Sequence, residues 1–307
     1  MFTFKKYIFL FTLTIFLVFY SSHLFSLAAQ IDYPLIVADD TGISVTIESE
    51  PQRIISAAPN NTEILFALGL GDKVVGVTNY DNYPEEVNLI EKIGEMSPLN
   101  LEKIVALKPD LILTFAIFQL KEIERLRELG FKVLDIEPVT LEDTLERMKM
   151  IARVCGIPKQ GEIIVGGLLQ RVEIIKTKVA QIDSSRRPKI FIGGTHEIIY
   201  TPGANTLFDE LISLAGGENI ARVFSGWIKI NPELVAEKAP DIIIVPVGVM
   251  NPGDQSRIKE DISKRPGWSN IPAIKNQKIF IVNEDLFYRP GPRLVDGLEK
   301  LYEIFYQ

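Results

Sequence analysis

Residues 100–111 read NLEKIVALKPDL, and residues 231–242 read NPELVAEKAPDI. In both stretches a glutamate follows an asparagine at the same distance, and a Pro-Asp pair then leads into an apolar run at identical spacing. Self-similarity over a long period indicates that a structural unit has been duplicated. Since the unit occurs twice, we predict two similar lobes rather than a solenoid.

Further pairs of segments support the duplication. Each half contains a short apolar helical segment before a glycine-rich end, a strand-like run after a lysine, and an opening strand-like run preceded by a basic residue. The pairs are residues 64–71 with 210–217, 132–136 with 278–282, and 53–55 with 189–192. The two halves are therefore expected to contain the same kinds of element.

The first half alternates strand-like and helical segments. Continuous apolar runs of strand length occupy residues 54–57, 74–77, 111–114 and 133–136. Between them, apolar residues at helical spacing run from Ile117 to Leu129, and Gly130 ends that helix. This alternation is typical of α/β proteins, so we predict Rossmann-like lobes with parallel sheets covered by helices on both faces. Ligands of such sheets bind at the carboxyl ends of the strands.

A long helical stretch lies between the two halves. Thr140 is a suitable cap for a helix that runs to about Cys155, and a Gly-Ile-Pro break follows. A second helix, over residues 160–182, carries one continuous apolar stripe. We predict an N-terminal lobe over residues 30–156, one rigid linking helix over residues 157–185, and a C-terminal lobe over residues 186–307. The ligand cleft lies between the lobes.

The N-terminus is typical of an export signal. Lys5 and Lys6 precede an apolar run over residues 7–27, and Ala28 follows within a small-residue cleavage pattern. We expect residues 1–29 to be a cleaved signal peptide and the mature protein to be periplasmic. The alternative is an uncleaved membrane anchor, because the run approaches the length of a membrane span; the protein would then be a membrane-anchored sensory binding domain. Cys155 is the single cysteine, which excludes a disulfide framework and favours a buried thiol.

Charge and motif content exclude several classes of function. The formal net charge is −7, and loss of the two lysines of the signal segment would make it −9. Such an acidic chain is not expected to bind nucleic acid or anionic lipid. The sequence contains no nucleophile elbow, phosphate-binding loop or zinc-protease motif. His196 is the one histidine of the mature chain, so we expect neither a catalytic residue nor a metal site; an enzyme using His196 is a distant alternative.

Aromatic side chains follow several of the expected strands. A cleft lined by such residues suits a large, flat, partly apolar ligand held by a few polar anchors. Trp227 is expected in a loop before the second Asn-x-Glu unit, whereas Trp268 lies in a Pro-Gly-Trp turn that suggests a structural role. The candidate ligand-binding residues of this kind are Tyr80, Tyr83, Phe115, Trp227 and Tyr288, with Arg289 beside the last.

Glu102 and Glu233 occupy matching positions in the duplicated unit. One interpretation is structural: Asn100 and Asn231 cap two helices, and a carboxylate in the first turn complements the helix dipole. The other interpretation is functional. One carboxylate on each lobe, on the same side of the molecule, suits a symmetric basic partner better than a ligand in the cleft.

Several of these segments resemble one family. Residues 100–111, 53–63 (RIISAAPNNTE) and 216–220 (GGENI) are similar to segments of the periplasmic binding proteins of ABC importers for iron-siderophores, haem and cobalamin. The resemblance implies two lobes joined by one helix and a monomer that binds a small-molecule metal chelate. It also implies a partner, an ABC permease dimer with its ATPase subunits, and it places the two permease-docking glutamates at Glu102 and Glu233.

The resemblance also bears on the ligand. Within the family the chain most resembles the cobalamin-binding members, whose corrin-contacting proline, tyrosine and tryptophan fall on Pro59, Tyr80 and Trp227. It departs from them at Met96 and Phe115, where those members carry further tryptophans. Haem remains an alternative ligand, with a tyrosine as the iron ligand.

The tyrosine that would hold haem iron is Tyr80 or Tyr83. A ferric siderophore is the third alternative for the ligand, and its candidate contacts are Tyr288, Arg289 and Arg293. For each of these ligands the metal arrives within the chelate, so no resident cofactor is expected.

Overall fold

A computed structural model describes residues 31–193, 198–249 and 254–307. The expected signal segment and His196 lie outside these ranges. In the described part of the chain, none of the helices combines the length and apolar character that crossing a membrane requires.

The N-terminal half is built on a parallel four-stranded sheet. Its strands lie in the order β4-β3-β5-β6, and β1 and β2 form a separate antiparallel pair. The strands are β1 (Leu35–Ala38), β2 (Ser44–Ile47), β3 (Ile54–Ser56), β4 (Val74–Val77), β5 (Leu111–Thr114) and β6 (Val133–Asp135). The central strands β3 and β5 are buried on both faces, as parallel strands between helical layers must be.

The C-terminal half repeats this arrangement. Its parallel sheet has the order β9-β7-β11-β12, and β8 and β10 form an antiparallel pair beside it. The strands are β7 (Lys189–Ile192), β8 (Ile199–Pro202), β9 (Glu218–Asn219), β10 (Trp227–Ile230), β11 (Ile242–Val247) and β12 (Ile279–Asn283). The two sheets match strand for strand, with β3, β4, β5 and β6 corresponding to β7, β9, β11 and β12. The predicted α/β fold with two similar lobes is confirmed.

Helices cover both sheets. They are α1 (Pro59–Ala67), α2 (Leu101–Leu107), α3 (Ala116–Glu128), α4 (Leu141–Val154), α5 (Pro158–Ala180), α6 (Leu207–Leu214), α7 (Pro232–Lys238), α8 (Gln255–Ser263), α9 (Pro272–Lys275), α10 (Asp285–Tyr288) and α11 (Leu294–Phe305). Short 3₁₀ turns occupy Gly71–Lys73, Glu85–Leu89 and Ser184–Arg186.

The Pro-Asp pairs of the duplicated unit have a structural role. The Asp110 carboxylate accepts hydrogen bonds from the backbone N–H groups of Gln52 and Arg53, at 2.8 and 2.9 Å. Asp241 accepts one from the backbone N–H of Lys189, at 2.8 Å. Each aspartate thus ties the start of its own strand to the start of the neighbouring strand of the same sheet.

The short helices before these strands also match. The side chains of Asn100 and Asn231 cap α2 and α7, accepting hydrogen bonds from backbone N–H groups of the first turn. Both helices end at a left-handed residue, since Lys108 and Ala239 each have a φ of 49°. The repeated sequence therefore specifies one repeated helix-strand unit, capped in the same way at both ends.

Helix α5 carries the predicted apolar stripe. Leu168, Val172, Ile175 and Val179 are buried on it, where it packs against α4 and α11. Arg171 on its flank is ion-paired with residues of α11. The helix contacts elements from both halves of the chain, while the exact lobe boundaries at residues 156 and 185 stay a prediction.

One local prediction is wrong. Trp227 does not lie in a loop, because it opens strand β10 and pairs with β8. The helix predicted between Ile117 and Leu129 is present as α3, but it is kinked at Gln119. Ile123 and Leu126 are buried, whereas Ile117 and Leu120 are exposed. The predicted end of α3 holds, since Gly130 has a φ of +84° just after it.

Candidate functional site

A cavity of about 450 Å³ lies between the two lobes. Its walls come from segments that follow β3, β4 and β5 in one lobe and β11 and β12 in the other, which is the carboxyl edge of both sheets. The described residues that line it are Pro59, Asn60, Tyr80, Met96, Ser97, Phe115, Phe118, Val249, Glu284, Asp285, Tyr288, Arg289 and Pro290. Its size falls within the range of small-molecule sites.

The structure brings most of the predicted ligand-binding residues together. Pro59, Tyr80, Phe115, Tyr288 and Arg289 all line this cavity. They lie close together because each follows the carboxyl end of a strand, and the cavity lies at the carboxyl edge of both sheets.

Two predicted residues lie apart from the lining. Tyr83 is 46% exposed, and the guanidinium group of Arg293 lies over its ring, 3.9 Å from the ring centroid. Trp227 is 51% exposed, and its ring packs edge-on at 5.5 Å against the ring of the lining residue Tyr288. Neither is among the described residues that form the cavity wall.

The wall of the N-terminal lobe is held by Gln119. Its buried amide donates hydrogen bonds to the backbone oxygens of Ala57 and Met96, at 2.6 and 2.8 Å. The same side chain accepts one from the backbone N–H of Phe115, at 3.0 Å. One side chain therefore joins three cavity segments, and this requirement explains the kink in α3.

Tyr80 occupies the loop after β4. Buried Asp81 orders this loop by accepting hydrogen bonds from the backbone N–H and the hydroxyl group of Thr78. The Tyr80 hydroxyl is hydrogen-bonded to Glu95, and this neighbouring carboxylate raises the pKa of the phenol. Tyr80 thus offers the cavity a neutral phenol ring.

The wall of the C-terminal lobe rests on stacked aromatic rings. Phe208 and Phe287 are stacked at 4.7 Å, and the ring of Tyr288 packs edge-on against Phe208 at 5.9 Å. Burial, with a smaller effect of Glu284, raises the pKa of Tyr288. Beside it, Gly248 leaves room for Glu284, because a Cβ atom there would lie 2.5 Å from that side chain.

An ion-pair network joins the lobes beside the cavity and includes the lining residues Asp285 and Arg289. Glu63 on α1 is 2% exposed. Its two carboxylate oxygens accept hydrogen bonds from Arg293 at 2.8 and 2.5 Å, and Arg289 donates another at 3.1 Å. Arg289 also donates to Asn82 at 2.7 Å and pairs with Asp285 at 3.0 Å. The arginines that were candidate siderophore contacts are therefore engaged within the protein.

Sequence reasoning missed Glu63, Gln119 and Glu284 as site residues. A signal existed for Glu284, since it directly follows β12 at the carboxyl edge. For Glu63 the signal was a carboxylate directly before the apolar residues that end α1, a position that requires a partner when buried. Gln119 carried no comparable local signal.

Glu102 and Glu233 lie in the first turns of α2 and α7, and both side chains are exposed. Each helix runs back toward the start of the strand that follows it, so its N-terminus lies at the carboxyl edge of its sheet. Both carboxylates are therefore near the edge that carries the cavity, one on each lobe.

The described side chains do not suggest metal binding or thiol chemistry. Within residues 31–193, 198–249 and 254–307, His, Cys, Asp and Glu form no group of three or more that could hold a metal ion. Cys155 is buried, and burial raises the pKa of its thiol to about 12, so the thiolate is scarce at neutral pH.

Comparison with known proteins places this fold and site in a family. Residues 54–286 match the family described as periplasmic binding protein. A Bacillus subtilis (strain 168) protein named as an uncharacterized ABC transporter substrate-binding lipoprotein, YvrC, is 34% identical over 279 residues, which cover 89% of this chain and 86% of that protein.

Solved structures of similar proteins support the same family. The structure of a possible iron-binding periplasmic solute-binding protein from Staphylococcus epidermidis ATCC 12228 is 31% identical, with a TM-score of 0.74, over 84% of this chain and 100% of that one. The periplasmic vitamin B12-binding protein BtuF of Vibrio cholerae is 29% identical, with a TM-score of 0.71, over 83% and 96%. The chain thus belongs to the periplasmic binding protein family and is a substrate-binding protein of the ABC importer class, not an enzyme.

Proposed function

We propose that this protein is an exported binding protein that captures a corrinoid between its lobes and delivers it to an ABC permease dimer with its ATPase subunits. The observation that carries the proposal is the interlobe cavity, which combines aromatic walls with paired arginines. The similarity to a vitamin B12-binding protein supports the same ligand class. The metal enters within the ligand, so the protein needs no resident cofactor.

The aromatic walls suit a flat ring system. Pro59, Tyr80 and Phe115 line the cavity from one lobe, and Tyr288 lines it from the other. Aromatic side chains bury apolar area against a macrocycle and form offset ring contacts with it. Asn60, Ser97 and Glu284 add polar groups able to hydrogen-bond amide side chains on the edge of a corrin.

Haem and ferric siderophores fit this cavity less well. A tyrosine that binds haem iron must lose its proton, but the pKa of Tyr80 is raised. The other candidate iron ligand, Tyr83, is not among the described residues that line the cavity. An anionic siderophore needs available cations, whereas Arg289 and Arg293 are bonded to Glu63 and Asp285. Both observations favour a ligand with a neutral, amide-bearing periphery.

Delivery is assigned to the exposed pair Glu102 and Glu233. Their placement on matching capped helices, one on each lobe, suits two equivalent basic sites on a symmetric permease. The protein acts as a monomer in the periplasm, and export depends on the N-terminal signal segment.

Ligand titration tests the proposal. Purified mature protein is titrated with cobalamin, cobinamide, haemin and a ferric siderophore, and binding is followed by tryptophan fluorescence and by visible absorbance after gel filtration. We expect saturable binding of the corrinoids and weaker binding of the other two. Failure to bind either corrinoid would overturn the proposed ligand.

A transport assay tests delivery separately. The Glu102→Gln and Glu233→Gln variants should keep the corrinoid affinity of the wild type but lose uptake in cells that carry the cognate permease. Glu237→Gln, the same change at an exposed position near the other end of α7, is the control and should transport normally. Equal loss of ligand affinity and uptake would show that these glutamates are not docking residues.

A further inference from the structure

The carboxylates around the cavity outnumber the guanidinium groups. Glu284, Asp285 and Arg289 line it, and Glu63 and Arg293 lie directly behind them. Counted in their ionised forms, these described residues bring three carboxylates against two guanidinium groups. The site therefore has no excess of positive charge for an anionic ligand, although it contains two arginines.

The arginines are held by a residue of the opposite lobe. Glu63 lies on α1 in the N-terminal lobe, whereas Arg289 and Arg293 follow β12 in the C-terminal lobe. Arg293 bonds both oxygens of the Glu63 carboxylate, the two-point geometry that makes such pairs strong. Since Glu63 is almost fully buried, water screens these interactions only weakly.

We propose that Glu63 is a specificity-determining residue: it withholds the charge of Arg289 and Arg293 from the cavity, so that the site selects amide-bearing over carboxylate-bearing macrocycles. The inference rests on the proposed function in one respect, namely that a bulky ring system occupies this cavity. It adds the chemical basis on which the site would choose among ligands of similar size and shape.

The physical reason is the balance of charge at the wall. A carboxylate on the ligand edge would meet Glu284 and Asp285 while Arg289 is already neutralised, and like charges brought together without water are costly. An amide in the same place donates its N–H groups to those carboxylates. A carboxylate and an amide have nearly equal shapes, so their difference in charge decides which ligand binds more tightly.

The test uses two forms of one ring system. Cobinamide carries amides on the corrin edge, and cobyrinic acid carries carboxylates in their place. We expect the wild type to bind cobinamide at least about tenfold more tightly than cobyrinic acid. Glu63→Gln should strengthen cobyrinic acid binding by about tenfold or more and change cobinamide binding by less than about threefold.

Three further variants complete the design. Asp296→Asn removes a carboxylate from an ion pair on α11 that lies away from the cavity lining, and should change neither affinity. Glu63→Gln with Arg289→Gln should lose the gained affinity for cobyrinic acid. Asp285→Asn, which keeps the Glu63 pairs, should shift the preference in the same direction by a smaller factor, and it decides the matter if Glu63→Gln does not fold.

The outcomes distinguish failure of the inference about Glu63 from failure of the proposed corrinoid-binding function. If the wild type binds cobinamide but Glu63→Gln, or Asp285→Asn in its place, gains no affinity for cobyrinic acid, the inference about Glu63 is overturned and the proposed function stands. Equal affinity of the wild type for both corrinoids also overturns it. If the wild type binds neither, the proposed function fails and the inference fails with it.

Discussion

Replacing Asp135 with asparagine should stabilise the protein at neutral pH and remove part of its pH dependence. Asp135 ends strand β6, is fully buried, and accepts a hydrogen bond from the hydroxyl group of Thr114 at 2.9 Å. Burial, with smaller effects of Glu137, Asp39 and Asp40, raises the pKa of this carboxyl from 3.8 to about 6. Its environment thus favours the neutral form.

The sign and size of this change in the free energy of unfolding follow from proton linkage. In the folded protein Asp135 keeps its proton up to about pH 6, whereas the unfolded chain releases it near 3.8. Between these values the folded state binds more protons, so the free energy of unfolding falls as the pH rises. At about 1.4 kcal/mol per pH unit, ionised Asp135 costs about 3 kcal/mol of stability above pH 6.

The assay compares denaturant unfolding of the wild type and Asp135→Asn from about pH 4 to pH 7, a range set by the two ends of this titration. The variant should gain stability over the wild type progressively, by up to about 3 kcal/mol at the upper end. Asp261→Asn, the same change at an exposed position on α8, is the control and should show no such trend.

The difference between the two proteins is the informative quantity, because other carboxyl groups titrate in both. A difference that is constant with pH, or that shrinks as the pH rises, would show that Asp135 does not retain its proton in the folded state. The reasoning from burial would then be wrong at this position.

Three other predictions follow from buried or cavity-lining side chains. Trp268→Phe should lower stability by about 1–3 kcal/mol in thermal unfolding, because Trp268 is fully buried and its ring N–H donates to the backbone oxygen of Pro232 at 3.0 Å; an unchanged midpoint would contradict this. Tyr80→Ala should weaken corrinoid binding about tenfold while Tyr80→Phe keeps it within about threefold, since the ring supplies the contact; equal losses would assign the effect to the hydroxyl group instead. The Cys155 thiol, whose pKa is raised to about 12, should not react with a disulfide reagent at pH ~8 until denaturant is added, and rapid labelling of the folded protein would refute its burial.

The fold was largely predictable from local sequence patterns. The Asn-x-Glu and Pro-Asp pairs recur because each half needs the same helix cap and the same tie between strand starts, and Asn100, Asn231, Asp110 and Asp241 supply these over short distances. The continuous apolar runs predicted parallel strands, and their carboxyl ends predicted where the cavity would lie. Such features depend on neighbours within a few residues, which a single sequence displays directly.

The electrostatic character of the cavity was decided by tertiary structure. Arg289 and Arg293 lie 226 and 230 positions from Glu63, and no periodicity links residues that far apart. From the sequence alone the two arginines were candidate ligand contacts, yet folding brings a buried carboxylate between them. Gln119 likewise joins segments 62 and 23 positions away, and the kink at this residue could not be predicted from the helical spacing of its neighbours. Buried polar groups must find partners wherever the fold places them, so their pairing is known only once the lobes are assembled.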